Sequence, residues 1–356
     1  MVGTDSMSAP HLSRFVQKTK AFRTPGGPSI DDLTFDEVDV SAPGPGQVAV
    51  DIKAVSLNFR DLAVVTGRYP RRVTGPTVVA SDGCGEVVSV GDGVTTFKAG
   101  DRVVGSFFQN WITGPFVREY GSSALGGAID GVLTQQRVFD ERGLLRVPSH
   151  LSYEEGATLP CAGLTAWNAL VPTAHVEAGD TVLLLGTGGV SIFGLQFAKL
   201  SGARVIITSS SDEKLERARA LGADETINYK KNPEWEKEVL RLTGGDGADI
   251  VLEVGGAETF PRSMSSVRAS GEIVVIGVLT GVVGTVPLGL IGLQTLSVRG
   301  VYVGSVAMFE GMNRAITLHK LRPVIDRVFS FEDTRDALRY LQSAKHFGKV
   351  VISLDR

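Results

Sequence analysis

Apolar runs alternate with amphipathic segments through the second half of this 356-residue chain. The runs are rich in β-branched residues and predict buried strands at 181–185, 204–209, 225–229, 249–254, 272–278 and 296–303. Helical periodicity fills most of the gaps, at 190–200, 212–221 and 232–242. Strands that alternate with helices predict an α/β fold, in which a doubly wound, six-stranded parallel sheet is covered by helices on both faces.

The first half of the chain has a different pattern. Short strand-like segments at 47–57, 78–90 and 102–107 are separated by turns rich in Gly and Pro. This pattern predicts a β-rich, barrel-like domain.

The end of the chain returns to strand-like segments. After a predicted helix at 307–320, residues 323–356 contain a strand, a helix and a last strand at 349–354. We expect this tail to rejoin the first domain. The expected domains are therefore 1–157 together with 321–356, and 158–320.

The strand at 181–185 leads directly into a turn with Gly186, Gly188 and Gly189, and the predicted helix follows. Gly186 permits the sharp bend, and Gly188 lets the backbone approach a phosphate closely. The helix N-terminus offers unpaired N–H groups and the positive end of its dipole to a pyrophosphate. Ser191 stands where the usual G-x-G-x-x-G fingerprint has its third glycine. In its strand–turn–helix context, this turn predicts a Rossmann dinucleotide-binding domain.

The composition excludes several classes of partner. Apolar residues make up 43% and the net charge is −3, so we expect sizeable cores and no polybasic surface for nucleic acid. The longest apolar runs are far too short to span a membrane. The N-terminus lacks a signal pattern, so residues 1–20 are interpreted as a flexible leader in which Met7 is a possible native start. Two cysteines, Cys84 and Cys161, cannot form a disulfide framework and indicate a reducing, cytoplasmic setting.

From about residue 20 to its end, the chain resembles the medium-chain dehydrogenase/reductase superfamily. The motifs that carry the similarity are SLNFRDLAVVTGRYP (56–70), ASDGCGEVVSVGDGVTTFKAGDRVVG (80–105), LPCAGLTAWNAL (159–170), GTGGVSIFGLQFAKLSGARVI (186–206), LGADETINY (221–229) and HFGKVVI (346–352). The chain is most similar to the zinc-free quinone oxidoreductases and enoyl reductases. The resemblance implies a GroES-like catalytic domain, a Rossmann domain and a cleft between them. It also implies a homodimer in which the edge strand 296–303 pairs with its two-fold mate.

The zinc ligands of the superfamily are largely replaced in this chain. Zinc alcohol dehydrogenases of the superfamily hold a catalytic metal with a Cys, a His and a second Cys, and the matching positions here are Asn58, Ser81 and Cys161. One thiolate with an amide and a hydroxyl is a poor set of zinc ligands. Residues 106–137 contain no cysteine for the superfamily's structural zinc lobe, and all five histidines lie outside the ligand motifs. We therefore expect no zinc, and Cys161 is interpreted as a small buried residue that serves packing.

The end of the strand 204–209 bears on the choice of nicotinamide cofactor. An NAD-specific site usually has an acidic residue there for the ribose 2′-hydroxyl, whereas this chain has three consecutive serines. The resemblance to quinone oxidoreductases implies 2′-phosphate contacts from Lys214 and Tyr229. NADPH is therefore the expected cofactor. Asp212 lies close enough to take the ribose instead, and Ser211 can also serve as a helix N-cap.

A larger set of residues is expected to contact the cofactor. Gly255–Gly256 and Gly277–Leu279 follow predicted strands at the carboxyl edge of the sheet, where such ligands bind. The resemblance places Thr165 near the hinge between the domains. The complete set is Asn58, Thr165, Gly186, Gly188, Gly189, Val190, Ser209, Ser210, Ser211, Lys214, Tyr229, Gly255, Gly256, Gly277, Val278, Leu279 and Lys349.

Without a metal, hydride transfer to a carbonyl compound needs a hydrogen-bond or proton donor from the protein. The candidate catalytic residues are Tyr69, Asn58 and Asp61, which share one motif with Arg60. In enoyl reductases of the superfamily, the Tyr of a Gly-x-Tyr-Pro segment can donate the proton, and Tyr69 matches it. A phenol with a pKa of about 10 is a workable acid for an enolate. Tyr69 can equally be a shape element at the cleft mouth, and Asp61 is expected to make a structural hydrogen bond beside the nicotinamide ribose.

Three functions follow from these observations. The leading one is an NADPH-dependent, zinc-independent reductase of quinones or α,β-unsaturated carbonyls. The second is an NAD(P)-dependent alcohol dehydrogenase or aldehyde reductase whose metal has ligands outside the known motifs. The third is a catalytically idle NADPH-binding protein.

Overall fold

The computed structural model describes residues 16–70, 73 and 75–355 of the chain. The strands within these residues are β1 (Val16–Thr24), β2 (Thr34–Ser41), β3 (Gln47–Leu57), β4 (Thr77–Val78), β5 (Asp82–Val90), β6 (Arg102–Gly105), β7 (Gln136–Asp140), β8 (Leu144–Arg146), β9 (Thr181–Leu184), β10 (Arg204–Ser209), β11 (Glu225–Asn228), β12 (Ala248–Glu253), β13 (Val267–Val275), β14 (Ser297–Gly300), β15 (Ile325–Ser330) and β16 (Lys349–Ser353). The α-helices are α1 (Phe59–Val65), α2 (Tyr153–Ala157), α3 (Leu164–Asn168), α4 (Gly189–Leu200), α5 (Asp212–Ala220), α6 (Trp235–Leu242), α7 (Phe260–Ser266), α8 (Leu288–Leu293), α9 (Val306–His319) and α10 (Thr334–Gln342). No helix of the described residues is long and apolar enough to cross a membrane.

Six parallel strands form the central sheet of the second half, in the order β11-β10-β9-β12-β13-β14. The first strand of the unit, β9, lies in the middle, and Val182 pairs with Val205 of β10 on one side and with Ile250 of β12 on the other. Its residues 182–184 are fully buried, because helices cover both faces of a parallel sheet. The predicted six-stranded Rossmann sheet is confirmed.

The first half of the chain forms two β-sheets. A seven-stranded sheet has the order β15-β16-β3-β5-β6-β8, with β7 also paired to β3, and a three-stranded sheet has the order β2-β1-β4. This GroES-like architecture is confirmed. The C-terminal strands β15 and β16 belong to this sheet, and β16 runs antiparallel to β3. The exact domain boundaries stay a prediction.

An apolar cluster continues from one half of the molecule into the other. It includes Val104 and Phe108 of the catalytic half and Val182 and Phe193 of the dinucleotide-binding half. The segment that joins the halves is helical, and α3 lies between two π-helical turns at Leu159–Gly163 and Ala169–Thr173. The shared core holds both walls of the cleft in place.

Several elements differ from the sequence-based expectation. The leader does not extend over 16–20, because β1 begins at Val16 and pairs with β2; residues 1–15, Met7 included, lie outside the described residues. The strand expected at 78–90 is divided, since Ala80 has a φ of 67° and separates β4 from β5. The edge strand expected at 296–303 is shorter, because the chain leaves the sheet after Gly300 and Val303 adopts a φ of 57°.

Candidate active site

The glycine turn between β9 and α4 has the open surface that a pyrophosphate needs. Gly186 has a φ of 71°, and a Cβ at Gly186 or Gly188 would meet no atom within 4 Å. Gly188 is the N-cap of α4, so no capping side chain occupies the first N–H groups of the helix, and these groups can bind an anion. Ser191 fits in place of the third glycine because its hydroxyl is buried and donates to the Leu185 carbonyl at 2.7 Å.

The end of β10 carries the three serines. Ser209 is buried, Ser210 is half-buried, and the Ser211 hydroxyl accepts the Lys214 N–H at 3.4 Å as the N-cap of α5. The Lys214 ammonium donates to the Ala344 carbonyl at 2.8 Å, which ties the cofactor half to the loop before β16. Tyr229 follows β11 and is 40% exposed. Lys214 and Tyr229 therefore lie on the same edge of the sheet as the serines.

Asp212 is the acidic residue that could take the ribose of NAD. Its carboxylate accepts hydrogen bonds from the Asn228 amide and from the Lys231 ammonium. These contacts hold the pKa of Asp212 below its ordinary value, with Lys231 the larger cause. The charge of Asp212 is thus paired, which lowers its repulsion toward a 2′-phosphate.

The glycines after β12 are held by Glu253, a residue that sequence reasoning missed. This buried carboxylate accepts the N–H groups of Gly255 and Gly256 at 2.7 and 2.9 Å. These N–H groups are consequently satisfied inside the protein, and the expected contact of the two glycines with the cofactor stays a prediction. Gly277 is required by close packing, since a Cβ there would lie 2.3 Å from the Val254 carbonyl oxygen.

The residues that follow the next strand present an apolar surface. Val278 and Leu279 are 45% and 52% exposed and lie beyond the end of β13. Thr165 is buried on α3, between the two π-helical turns of the joining segment. The structure thus places these expected contacts at the carboxyl edge of the sheet and in the segment between the domains.

Asp61 holds the start of α1. Its carboxylate accepts the Asn58 N–H at 2.8 Å, and the Arg60 guanidinium approaches it at 3.5 Å. The side chain is buried, and this burial raises its pKa despite the opposing charge of Arg60. Asp61 therefore acts within the protein as a helix-terminal acceptor, which agrees with the structural hydrogen bond expected of it.

The three positions that match zinc ligands lie in one buried polar chain with Lys349. The Lys349 ammonium donates to the Leu57 carbonyl at 2.7 Å and to Asn58 Oδ1 at 2.5 Å. Asn58 Nδ2 donates to Ser81 Oγ at 3.5 Å, and Ser81 Oγ donates to Asp82 Oδ1 at 2.6 Å. The other oxygen of Asp82 accepts the Cys161 N–H at 2.9 Å. The donors Lys349, Asn58 and Ser81 thus point in one direction toward Asp82, and the Cys161 N–H donates to Asp82 from the other side.

The pKa values in this buried polar chain are shifted because its groups are buried. Burial lowers the pKa of Lys349 and raises the pKa of Asp82 to about 6. Burial and the neighbouring Asp82 raise the pKa of the Cys161 thiol, so this sulfur remains protonated. The stem of Lys349 runs beneath the phosphate-binding turn, because a Cβ at Gly189 would lie 2.7 Å from its Cδ. Lys349, expected to contact the cofactor, thus directs its charge to Asn58.

The Tyr69 side chain contacts a residue from the other half of the molecule. Its hydroxyl lies 2.5 Å from that of Tyr302, which follows β14, and both side chains line one cavity of about 390 Å³. Burial raises the pKa of Tyr302 above its ordinary value, and the Tyr69 hydroxyl adds to this. Tyr302 therefore stays protonated at neutral pH. No sequence signal pointed to Tyr302, whereas Asp82 could have been noticed beside Ser81 at the start of a buried strand.

Two family descriptions match the chain. The GroES-like domain of alcohol dehydrogenases matches residues 44–149, and the family described as zinc-binding dehydrogenase matches residues 189–317. A zinc-type alcohol dehydrogenase-like protein of Schizosaccharomyces pombe is 44% identical over 333 residues, which cover 91% of this chain and 96% of that protein. The chain belongs to the medium-chain dehydrogenase/reductase superfamily.

Other members of the superfamily have different names. A quinone oxidoreductase of Pseudomonas aeruginosa is 32% identical, and the match covers 88% of each chain. A crystal structure entitled NAD-dependent alcohol dehydrogenase has a TM-score of 0.86 and 36% identity, and covers 94% of this chain and 99% of that chain. The chain is accordingly an oxidoreductase of the medium-chain dehydrogenase/reductase superfamily.

The residues at the superfamily's catalytic metal position do not fit zinc. Asn58 Oδ1 is occupied by the Lys349 ammonium, and the Ser81 hydroxyl is a donor to Asp82. A neutral thiol and a neighbouring positive charge are a poor environment for a divalent cation. No group of three or more His, Cys, Asp or Glu side chains that could hold a metal exists among the described residues.

Proposed function

We propose that this protein is an NADPH-dependent, zinc-independent reductase of quinones or α,β-unsaturated carbonyl compounds. The observation that carries the proposal is the buried chain Lys349–Asn58–Ser81–Asp82. It provides a resident positive charge at the position where relatives hold a metal. A cation fixed in a water-poor site stabilises negative charge that develops on a substrate oxygen.

The preference for NADPH rests on the end of β10. Three hydroxyl groups replace the usual carboxylate, and Asp212 is already paired with Lys231. Lys214 lies at the start of α5 and can contact a 2′-phosphate as a point charge. A bound NADPH supplies a hydride from C4 of its nicotinamide.

The hydroxyl pair Tyr69–Tyr302 is the proposed hydrogen-bond donor to substrate. Two hydroxyls that share one hydrogen bond leave one proton free to point into the cavity. In the reduction of an enone, that proton can pass to the enolate, whereas a quinone product takes its protons from water. The alternative role of Tyr69 as a shape element stays open, because its ring also forms a wall of the cavity.

Two measurements on the purified protein test this proposal together. Elemental analysis should find no stoichiometric zinc, and a chelator should leave activity unchanged. A spectrophotometric panel of quinones, enones, enoyl thioesters and aldehydes should show NADPH consumption with members of the first two classes. About one zinc per chain, with activity lost on its removal, would contradict the proposal, as would the absence of turnover with every quinone and enone.

A second candidate is an alcohol dehydrogenase that uses NAD. The names of the relatives in yeast and among the solved structures favour it. The same panel, run in the oxidative direction with alcohols and NAD+, distinguishes it. Alcohol oxidation that exceeds quinone and enone reduction would select this candidate.

A further inference from the structure

The cavity beside Tyr69 has positive side chains on aromatic walls. Tyr69, Phe116 and Tyr302 form the walls, and the guanidinium groups of Arg60 and Arg118 line the same space. No carboxylate is among the lining residues in the described part of the chain. A ligand in this cavity is therefore favoured when it combines a flat apolar body with negative charge.

Arg60 has hydrogen-bonding capacity that the protein leaves unused. Its side chain is only 10% exposed. Nη1 donates to the Leu125 carbonyl at 2.6 Å, but the buried Nε has no partner within the residues that the structure describes. The Arg60 guanidinium is thus largely buried in the cavity wall, where water screens its positive charge only weakly.

The Arg60 guanidinium is held in one position. It lies over the Phe107 ring at 4.9 Å and over the Tyr69 ring at 5.4 Å. A Cβ on Gly127 would lie 2.4 Å from Nη2, so only glycine leaves room for the side chain in this position. A guanidinium fixed before binding loses little entropy when it binds a planar anion.

Arg118 provides a second positive charge. Its side chain is exposed at the cavity, and it makes no hydrogen bond or ion pair with any residue in the described ranges. Asp61 approaches Arg60 from inside the protein at 3.5 Å and does not line the cavity. The cavity side of both guanidinium groups is thus open to an anion.

We propose that this cavity selects substrates that carry a carboxylate, which Arg60 and Arg118 bind beside the tyrosine pair. The two guanidinium groups that line the cavity attract the carboxylate, and an aromatic or conjugated body fills the space between the rings. This inference rests on the proposed reductase function and names its substrate class.

The test compares trans-3-benzoylacrylate with its methyl ester, which share a conjugated enone and an aromatic ring but differ in charge. In the parent protein, KM for the acid should be at least tenfold below that for the ester. Arg60→Gln and Arg118→Gln should each reduce this ratio to within about threefold, as one charge-assisted contact is lost. Arg68→Gln is the matched control, because Arg68 is exposed and lies outside the cavity lining.

Equal KM values for acid and ester in the parent protein would overturn the proposal, and so would an unchanged ratio in both variants. If Arg118→Gln alone reduced the ratio of the two KM values, the role of Arg60 would be overturned. Arg118 is exposed, so its variant tests the cavity even where Arg60→Gln fails to fold.

Calorimetry with the saturated acid 3-benzoylpropionate separates this inference from the reductase proposal. Binding that requires both arginines, without reduction of either enone, would refute the reductase and support the carboxylate site. Reduction of the acid and the ester with equal KM values would support the reductase and refute the carboxylate site.

Discussion

Replacing Lys349 with Met tests whether the buried ammonium stabilises the candidate site. Methionine keeps a long apolar stem beneath Gly189, but it loses the hydrogen bonds to Leu57 and Asn58. Hydrogen bonds from a charged group contribute about 1.5–3 kcal/mol each, and the substitution removes two of them. We therefore expect the free energy of unfolding to fall by about 3–6 kcal/mol at pH 8.

The size of this loss depends on pH through Asp82. Its pKa is raised from 3.8 to about 6 in the folded protein, so its contribution to stability is lost as pH rises through about 6. The Lys349 charge is the main influence that opposes the rise in pKa. Without it, the pKa of Asp82 rises further and the decline in stability continues to higher pH. Each pKa unit that the ammonium contributes adds about 1.4 kcal/mol to the difference, so the variant should lose less at pH 5.5 than at pH 8.

Urea unfolding followed by circular dichroism, at one protein concentration and at both pH values, measures the effect. Lys345→Met is the control, because Lys345 is exposed in the loop before β16 and its substitution should change stability by no more than about 0.5 kcal/mol. An equal loss at the two pH values would refute the coupling between Lys349 and Asp82. A loss below about 1 kcal/mol at pH 8 would show that the ammonium does not stabilise the site.

Three further predictions concern the cofactor, the tyrosine pair and assembly. NADPH should bind more tightly than NADH, and Lys214→Ala should shrink that preference about tenfold, or about 1.4 kcal/mol, in fluorescence titrations; equal affinities in the parent protein would contradict this. Tyr69→Phe should lower turnover of an enone by about a hundredfold and that of a quinone much less, with cofactor affinity unchanged; small, equal losses in steady-state rates would make Tyr69 a shape element. The protein should be a homodimer through its edge strand, since β14 is hydrogen-bonded only to β13 among the described strands and Val298 on it is 38% exposed; a monomer at micromolar concentration by light scattering would exclude this.

Strands in the middle of the sheets could be predicted closely from the sequence. The bounds of β3 and β10 agree with the predicted 47–57 and 204–209, because a buried strand bounded by turn residues is a strong local signal. The hairpin of β1 and β2 was missed because β2 is mostly exposed and lacks a continuous apolar face. Strand ends that depend on a backbone turn, such as the one after Gly300, have no local hydrophobic signal.

The candidate site could be predicted only as far as local motifs reach. Asn58 and Asp61 were expected together, and one helix start does bring them together. The contact of Lys349 with Asn58 joins residues 291 positions apart, and that of Tyr69 with Tyr302 joins residues 233 apart. Such pairings depend on how the two halves of the molecule pack, which single-sequence patterns do not encode.

The place of β16 in its sheet has a consequence for how the protein is made. Ser56 of β3 contacts the carbonyl of Val350, 294 residues later in the chain. The strands of the dinucleotide-binding sheet are synthesised in one continuous stretch, so that half can fold while the edge of β3 at Ala54–Leu57 still awaits β16. Lys349 lies in β16, so the polar chain around Asn58 is assembled only after this strand has been synthesised. A chain that ends before β16 therefore lacks the ammonium of this polar chain and leaves the edge of β3 unpaired, which favours aggregation.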